Sequence, residues 1–205
     1  MMARKSAEDR KAEILATALR LADELGPDRL TTNAVAQAVG LTQPGIFRHF
    51  PTKQVLWQAV AADISDRLKV AWDEALASSA TPEGRIAALV RAQLNLIEAN
   101  PAIPAILFSR ELRVENDALR QAFVGLMTTF HGILAGELAR ARKAGTVRPD
   151  LDPADGAVLL ISLVQGLAMR WSLGARGFAL QPEGVRLLAV QMALFTGSTT
   201  EEKQS

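Results

Sequence analysis

Two helical segments too short to stand alone constrain this 205-residue chain more than anything else in it. Residues 32–39 and 43–50 both show helical spacing, but each offers only about eight residues, and an isolated helix below roughly 12–15 residues is marginal in water. Gly40, Leu41 and Thr42 are all that separate them. Such a pair holds together only when a longer helix clamps it on each side, and the flanks supply both. In residues 12–25 the apolar positions Ile14, Leu15, Ala18, Leu21, Ala22 and Leu25 form one helical stripe. Ser6, followed three residues later by Asp9, reads as its capping box, and Gly26-Pro27 ends it. After Pro51-Thr52 a long helix opens at Lys53 and runs to Leu76, with Leu56, Val60, Ile64, Leu68, Ala71, Trp72 and Ala75 on its inner face. Thr31 and Thr42 stand at the cap positions of the two short helices. Pro44 falls in the first turn of the second, where a missing N–H costs little. Helix, short helix, tight turn, short helix is the helix-turn-helix arrangement, whose last helix enters the major groove of DNA.

The rest of the chain is helical by the same test. Residues 78–82 form a linker. Helices are expected at 83–99, 102–112 (bounded by Pro101 and interrupted near Pro104), 116–143, 154–173 and 183–195, with loops at 145–153 and 174–182. No segment shows convincing period-2 alternation. The fold class expected is therefore all-α: an N-terminal three-helix DNA-binding domain at 1–53, a larger helical domain at 54–197 and a polar, disordered tail at 198–205, with about nine helices altogether.

Composition removes whole classes of chemistry. The chain has no cysteine, which excludes disulfides, thiol nucleophiles and thiolate metal sites. With two histidines, His49 and His131, a three-histidine zinc site is excluded too. Neither a metal nor another cofactor is expected. GxSxG, Walker, GxGxxG and HExxH motifs are all missing, so the chain does not read as an enzyme. Glu111 and Glu115, spaced like a carboxylate pair, fall in a charged patch with Arg110 and Arg113. The N-terminus lacks an apolar signal stretch, and the apolar uncharged run 121–136 is shorter than the roughly 18 residues a spanning helix needs and contains Gln, Thr and His. A cytoplasmic protein with no membrane partner is expected. Net charge is only +1, yet between Arg29 and Lys53 there are three positive residues and no acidic one.

Residues 31–53, TTNAVAQAVGLTQPGIFRHFPTK, resemble the DNA-binding signature of the TetR family of transcriptional repressors. The features carrying the likeness are a threonine cap, a helix of small residues, Gly-Leu-Thr, the unit Phe47-Arg48-His49-Phe50, and Lys53 opening the next helix. The resemblance implies that Gln43, Pro44 and Gly45 meet base edges. Gln43 suits bidentate reading of adenine, and the ring of Pro44 suits a thymine methyl. It implies that Arg48 reaches guanine or phosphate, and that Phe47, His49 and Lys53 lie where the family grips phosphate, joined by Thr32 and Asn33, although Phe47 lacks a phosphate-bonding hydroxyl. Phosphate contacts position such a module, and base contacts specify its sequence. The chain departs from the family twice: Phe47 stands where the family usually has tyrosine, and Gly45 costs a short helix roughly 1 kcal/mol against Ala. Phe47 and Phe50 equally suit the core of a three-helix bundle.

For the second half the resemblance implies a homodimer built from the last two long helices, a small-molecule effector, and a palindromic double-stranded operator. Residues 156–169 carry no charge, and a helix apolar nearly all round needs burial or a subunit partner. Candidate effector contacts are Trp72, Phe108, Phe123, Met127, His131 and Gln165, which suggest an apolar ligand. His131 and Gln93, each on an inner face, fit a hydrogen-bonded core equally well. Gly132 and Gly136 form a GxxxG that reads as close helix packing. Two alternatives stay open. One is an all-α small-molecule-binding protein without operator recognition. The other is a DNA-binding protein of this fold that acts without an effector.

Overall fold

The computed structural model describes residues 6–110 and 114–197. Among them there is no strand, and nine α-helices follow one another: α1 (Ala7–Leu25), α2 (Thr32–Ala38), α3 (Gln43–Phe47), α4 (Lys53–Ala77), α5 (Pro82–Ala99), α6 (Ala102–Leu107), α7 (Asp117–Lys143), α8 (Pro153–Leu173) and α9 (Leu180–Thr196). The all-α class and the helix count are as expected. The 198–205 tail lies outside the described residues, as do Glu111 and Arg113.

Helix ends follow local chemistry. Ser6 and Asp9 form the expected capping box, with the Asp9 N–H 3.0 Å from the Ser6 hydroxyl. A short 3-10 turn at Pro27–Arg29, which the periodicity did not suggest, follows Gly26 at φ 85°. The α2 end is a Schellman closure: the Gly40 N–H bonds Gln37 O at 3.2 Å, and the Leu41 N–H bonds Ala36 O at 2.8 Å. Gly40 has φ 68°, a conformation glycine adopts without a steric cost. α3 stops at Phe47 rather than at residue 50. Phe50 precedes Pro51, and the proline ring disfavours a helical conformation there. The amides of His49 and Phe50 instead close a tight turn on Ile46 O, each at 2.8 Å. α9 starts three residues earlier than expected because the Glu98 carboxylate accepts its first N–H, from Leu180, at 2.8 Å.

The chain forms two compact units. The first comprises Met1–Arg67 and Ala99–Gly125, the second Leu68–Glu98 and Leu126–Ser205. In the first, α1 packs on α2 and α6, and Ile14, Ala18, Val35, Ile46, Phe50, Leu56, Trp57 and Val60 are buried.

In the second, Trp72 stacks on Phe130 with ring centroids 4.8 Å apart, and its indole N–H donates to Gln93 Oε1 at 3.1 Å. Both Ile86 and Leu94 are fully buried in the same unit. α8 packs along α9. At Gly184 a Cβ would come within 2.2 Å of Leu94 Cδ1, so glycine is what lets this backbone approach α5. The GxxxG of α7 works differently from its expected reading. A Cβ at Gly132 would meet nothing within 4 Å. The two glycines instead line an open groove of about 440 Å³ with Leu76, Arg85, Ile133, Glu137 and Arg140.

α7 and α8 are long and apolar enough, by length and composition, to cross a membrane. Each nevertheless buries a stripe within the protein: Leu126, Phe130, Leu134 and Leu138 on α7, and Leu160, Val164, Leu167 and Trp171 on α8.

Candidate nucleic-acid interface and effector groove

α2 and α3 pack against each other in the first unit, and the residues on their outer side follow from which positions the core claims. Ile46 and Phe50 are taken into the core, at 0% and 4% exposure. Helical spacing then turns Gln43, Pro44, Phe47 and Arg48 outward, and all four are exposed. Phe47 and Phe50 thus separate: Phe50 is core, while Phe47 keeps 39% of its surface in solvent. His49 is half-buried, Asn33 is exposed, and Lys53, half-buried, is the first residue of α4. The Thr52 hydroxyl caps that helix by accepting the Val55 N–H at 3.1 Å.

Both short helices carry their caps: Thr31 accepts from the Ala34 N–H at 3.1 Å and Thr42 from the Gly45 N–H at 3.3 Å. A Cβ at position 45 would lie 3.4 Å from the Thr42 hydroxyl and 3.5 Å from Leu41 Cβ, so the turn is close there without being closed to alanine. Thr32 differs from the other residues implied for DNA contact in being buried. It is 92% buried, and its hydroxyl accepts a hydrogen bond from Gln43 Nε2 at 3.2 Å. Around the exposed residues the only charged side chains between positions 29 and 53 are positive, which suits a phosphate backbone.

Three of the six candidate effector contacts share one groove within the second unit. Phe108, 55% exposed, and Phe123, 7% exposed, belong to the first unit. Trp72 belongs to the second, where its ring face and its N–H are already engaged by Phe130 and Gln93. Met127, His131 and Gln165 do come together, lining an open groove of about 320 Å³ between α7 and α8. His131 is half-buried rather than core, and its Nε2 lies 3.1 Å from Ala154 O. Gln165 Nε2 lies 3.8 Å from the Met127 sulfur. Sequence reasoning missed four further lining residues: Thr128, Val158, Ile161 and Ser162. The signal was present. Val158, Ile161, Ser162 and Gln165 fall at i, i+3, i+4 and i+7, one face of α8.

The chain matches two family models. Residues 14–60 match "Bacterial regulatory proteins, tetR family", and residues 82–192 match "BetI-type transcriptional repressor, C-terminal". Nucleoid occlusion factor SlmA of Vibrio vulnificus strain YJ016 is 29% identical over 175 residues, covering 83% of this chain and 87% of that protein. In solved structures, a putative TetR-family transcriptional regulator from Rhodococcus sp. superposes with a TM-score of 0.78 at 22% identity, over 92% of this chain and 100% of that one. The transcriptional regulator FadR from Bacillus subtilis, solved in complex with stearoyl-CoA, superposes with a TM-score of 0.74 at 18% identity, over 92% and 98% of the two chains.

Proposed function

Given that this chain belongs to the TetR family of bacterial regulatory proteins and is a DNA-binding transcriptional regulator, we propose that it is a repressor that binds a palindromic operator as a homodimer and releases it on binding a small, largely apolar effector. The observation that carries this reading is the row of exposed residues on α3, Gln43, Pro44, Phe47 and Arg48, seated on a buried Ile46 and Phe50. Gln43, Pro44 and Gly45 read base edges. Arg48 reads guanine or phosphate, while His49, Lys53 and Asn33 hold the phosphate backbone, and Phe47, lacking the usual tyrosine hydroxyl, gives only van der Waals contact there. Two copies place their α3 helices in successive major grooves about 34–36 Å apart, or a small multiple of that.

The dimer face is the outer side of α8 and α9. Val158, Leu159, Val190 and Leu194 are 52%, 47%, 52% and 63% exposed in the single chain, an apolar surface that a second copy would cover. The effector groove opens beside it, since Val158 belongs to both. An occupant touching Val158 therefore bears on the dimer contact that sets the spacing of the two recognition helices. At about 320 Å³ the groove is at the small end of ligand sites. Its apolar Met127, Val158 and Ile161 and its polar tips at Thr128, His131, Ser162 and Gln165 suit a compact apolar molecule with one or two polar groups. FadR was solved with the far larger stearoyl-CoA.

A second reading, DNA binding without an effector, is favoured by one observation. Trp72, a buried aromatic of the second unit, already has its ring stacked on Phe130 and its N–H bonded to Gln93. Selection of bound duplexes from random DNA, using the purified full-length protein, tests the operator in either case. A palindrome is expected. Gln43→Ala should then erase base preference at one position per half-site, and Lys53→Ala should weaken all sequences alike and flatten the salt dependence. Selection that returns no palindrome would overturn the operator reading.

A further inference from the structure

We propose that Thr32 is a positioning residue for base readout: its hydroxyl holds Gln43 in place at the start of the recognition helix, and it does not contact the DNA backbone. This rests on the reading of α3 as the recognition helix and goes beyond it, because the family resemblance implies phosphate contact for Thr32.

Three observations carry the assignment. First, Thr32 retains 8% of its surface, whereas its neighbour Asn33 is exposed. A hydroxyl that grips phosphate must be reachable from outside. Second, the hydroxyl has a partner, the Gln43 Nε2, at 3.2 Å and eleven residues away in sequence. Third, the two residues are the first of their helices, Thr32 of α2 and Gln43 of α3. The bond therefore pins the leading end of the recognition helix to the helix that supports it.

The chemistry gives the bond a use. Glutamine is among the side chains with most rotamer freedom to lose when it is fixed. A glutamine that must also find its orientation on DNA loses that freedom at the moment of binding, for right and wrong bases alike. Held by Thr32, Gln43 is ordered beforehand, and the free energy of its base contact goes into discrimination. The geometry also leaves the needed groups unspent. An amide carries two N–H donors and a carbonyl. Thr32 takes one donor. One N–H and Oε1 remain, a donor beside an acceptor, which matches the N7 acceptor and N6 donor of adenine. The threonine at the start of α2 thus acts on sequence choice through Gln43.

The test uses the full-length protein and its selected duplex, with single base-pair changes at each position of one half-site, at two salt concentrations. Gln43→Ala first identifies the position that Gln43 reads. Thr32→Val keeps the shape of the side chain and removes the hydroxyl. It should lower discrimination at that one position by roughly tenfold, within the range a bidentate contact supplies. Preferences elsewhere and the salt slope should stay as in the wild type. Thr32→Ser, which restores the hydroxyl, should restore discrimination, and Thr32→Val added to Gln43→Ala should change nothing further. Thr32→Ala serves the same comparison if the valine variant does not fold. If Thr32→Val weakens all duplexes equally, flattens the salt slope, and does so in the Gln43→Ala background as well, Thr32 is a phosphate contact and the proposal is overturned. Unchanged discrimination in both Thr32→Val and Thr32→Ala overturns it too. A wild-type protein that selects no duplex removes the recognition-helix reading itself, an outcome distinct from either.

Discussion

The guanidinium of Arg85, on α5, meets the carboxylate of Glu137, on α7, at 3.1 Å, and the Glu137 side chain is only 3% exposed. Arg85 spends its other donors on backbone, bonding Ser79 O and Ala80 O at 2.9 Å each. One side chain thereby laces the loop between α4 and α5 to the interior of the second unit. Arg140 gives Glu137 a second cation. A carboxylate this buried is tolerated because two guanidinium groups compensate it. Arg85→Ala removes one of them and both loop contacts, and should cost about 3 kcal/mol, the lower end for breaking a buried pair, since Arg85 keeps some solvent contact. Urea denaturation checks this. A loss below about 1 kcal/mol would mean that Arg140 alone satisfies Glu137.

The Trp72 indole and the Gln93 amide make a second, neutral example. Trp72 is 1% exposed, and Gln93 Oε1 accepts its N–H. Gln93→Leu leaves that donor buried and unpaired, which should cost about 1–3 kcal/mol. Pairing it with Trp72→Phe, which removes the donor, should recover part of the loss. A double-mutant cycle that shows no coupling would mean the hydrogen bond contributes nothing to stability.

Gly40 isolates a backbone effect. Its φ is 68°, and a Cβ there would touch nothing within 4 Å. Gly40→Ala therefore carries only the left-handed penalty, about 1–2 kcal/mol. Thermal melts should show that loss. The turn between α2 and α3 carries the recognition helix, so DNA affinity should fall as well. A melting temperature equal to that of the wild type would refute the assignment.

The helix-turn-helix was legible in the sequence because its information is local. Threonine caps, a turn glycine and a Pro in the first turn act within four residues, and each is found where the pattern put it. The end of α3 was misjudged because Pro51 acts backwards on Phe50, against an apolar spacing that continues through it. The start of α9 depends on Glu98, 82 residues away, which no local pattern reports. Only three of the six effector candidates line the groove, for a related reason. Aromatic composition says that a side chain is buried or bound, but not by what. Trp72 turned out to be held by Phe130 and Gln93, and Phe108 and Phe123 fell in the other unit. The link between Thr32 and Gln43 was invisible, since spacing alone cannot distinguish a hydroxyl facing DNA from one facing its neighbouring helix.

The exposed faces of α8 and α9 give the dimer prediction its residues. The uncharged run 156–169 made Leu163 and Val164 natural places for a disruptive charge. Val164, however, is 4% exposed within the single chain, so a charge there should unfold the protein rather than split a dimer. Val158→Lys and Leu194→Glu, at 52% and 63% exposure, should instead give a folded monomer. An obligate interface buries on the order of 2,000 Å² or more, and a fixed charge at its centre is poorly tolerated. Sedimentation measures this directly, and a stable wild-type monomer at micromolar concentration would end the proposal.

The effector prediction follows from thermodynamic linkage. If a ligand in the groove lined by Met127, His131 and Gln165 releases DNA, it must bind the DNA-free conformation better than the DNA-bound one. A typical coupling of 1–3 kcal/mol weakens DNA affinity about 5–150-fold, and operator DNA must then weaken the ligand by the same factor. Gln165→Trp would put an indole into a groove of about 320 Å³. Gln165 is exposed, so the added bulk enters open space and displaces no core residue. The variant should keep wild-type affinity for DNA and lose its response to the ligand. Calorimetry of a ligand shown to sit in this groove, with and without operator, gives the coupling in both directions. Equal affinities would mean that the groove binds without signalling, and would leave the effector-independent reading in its place.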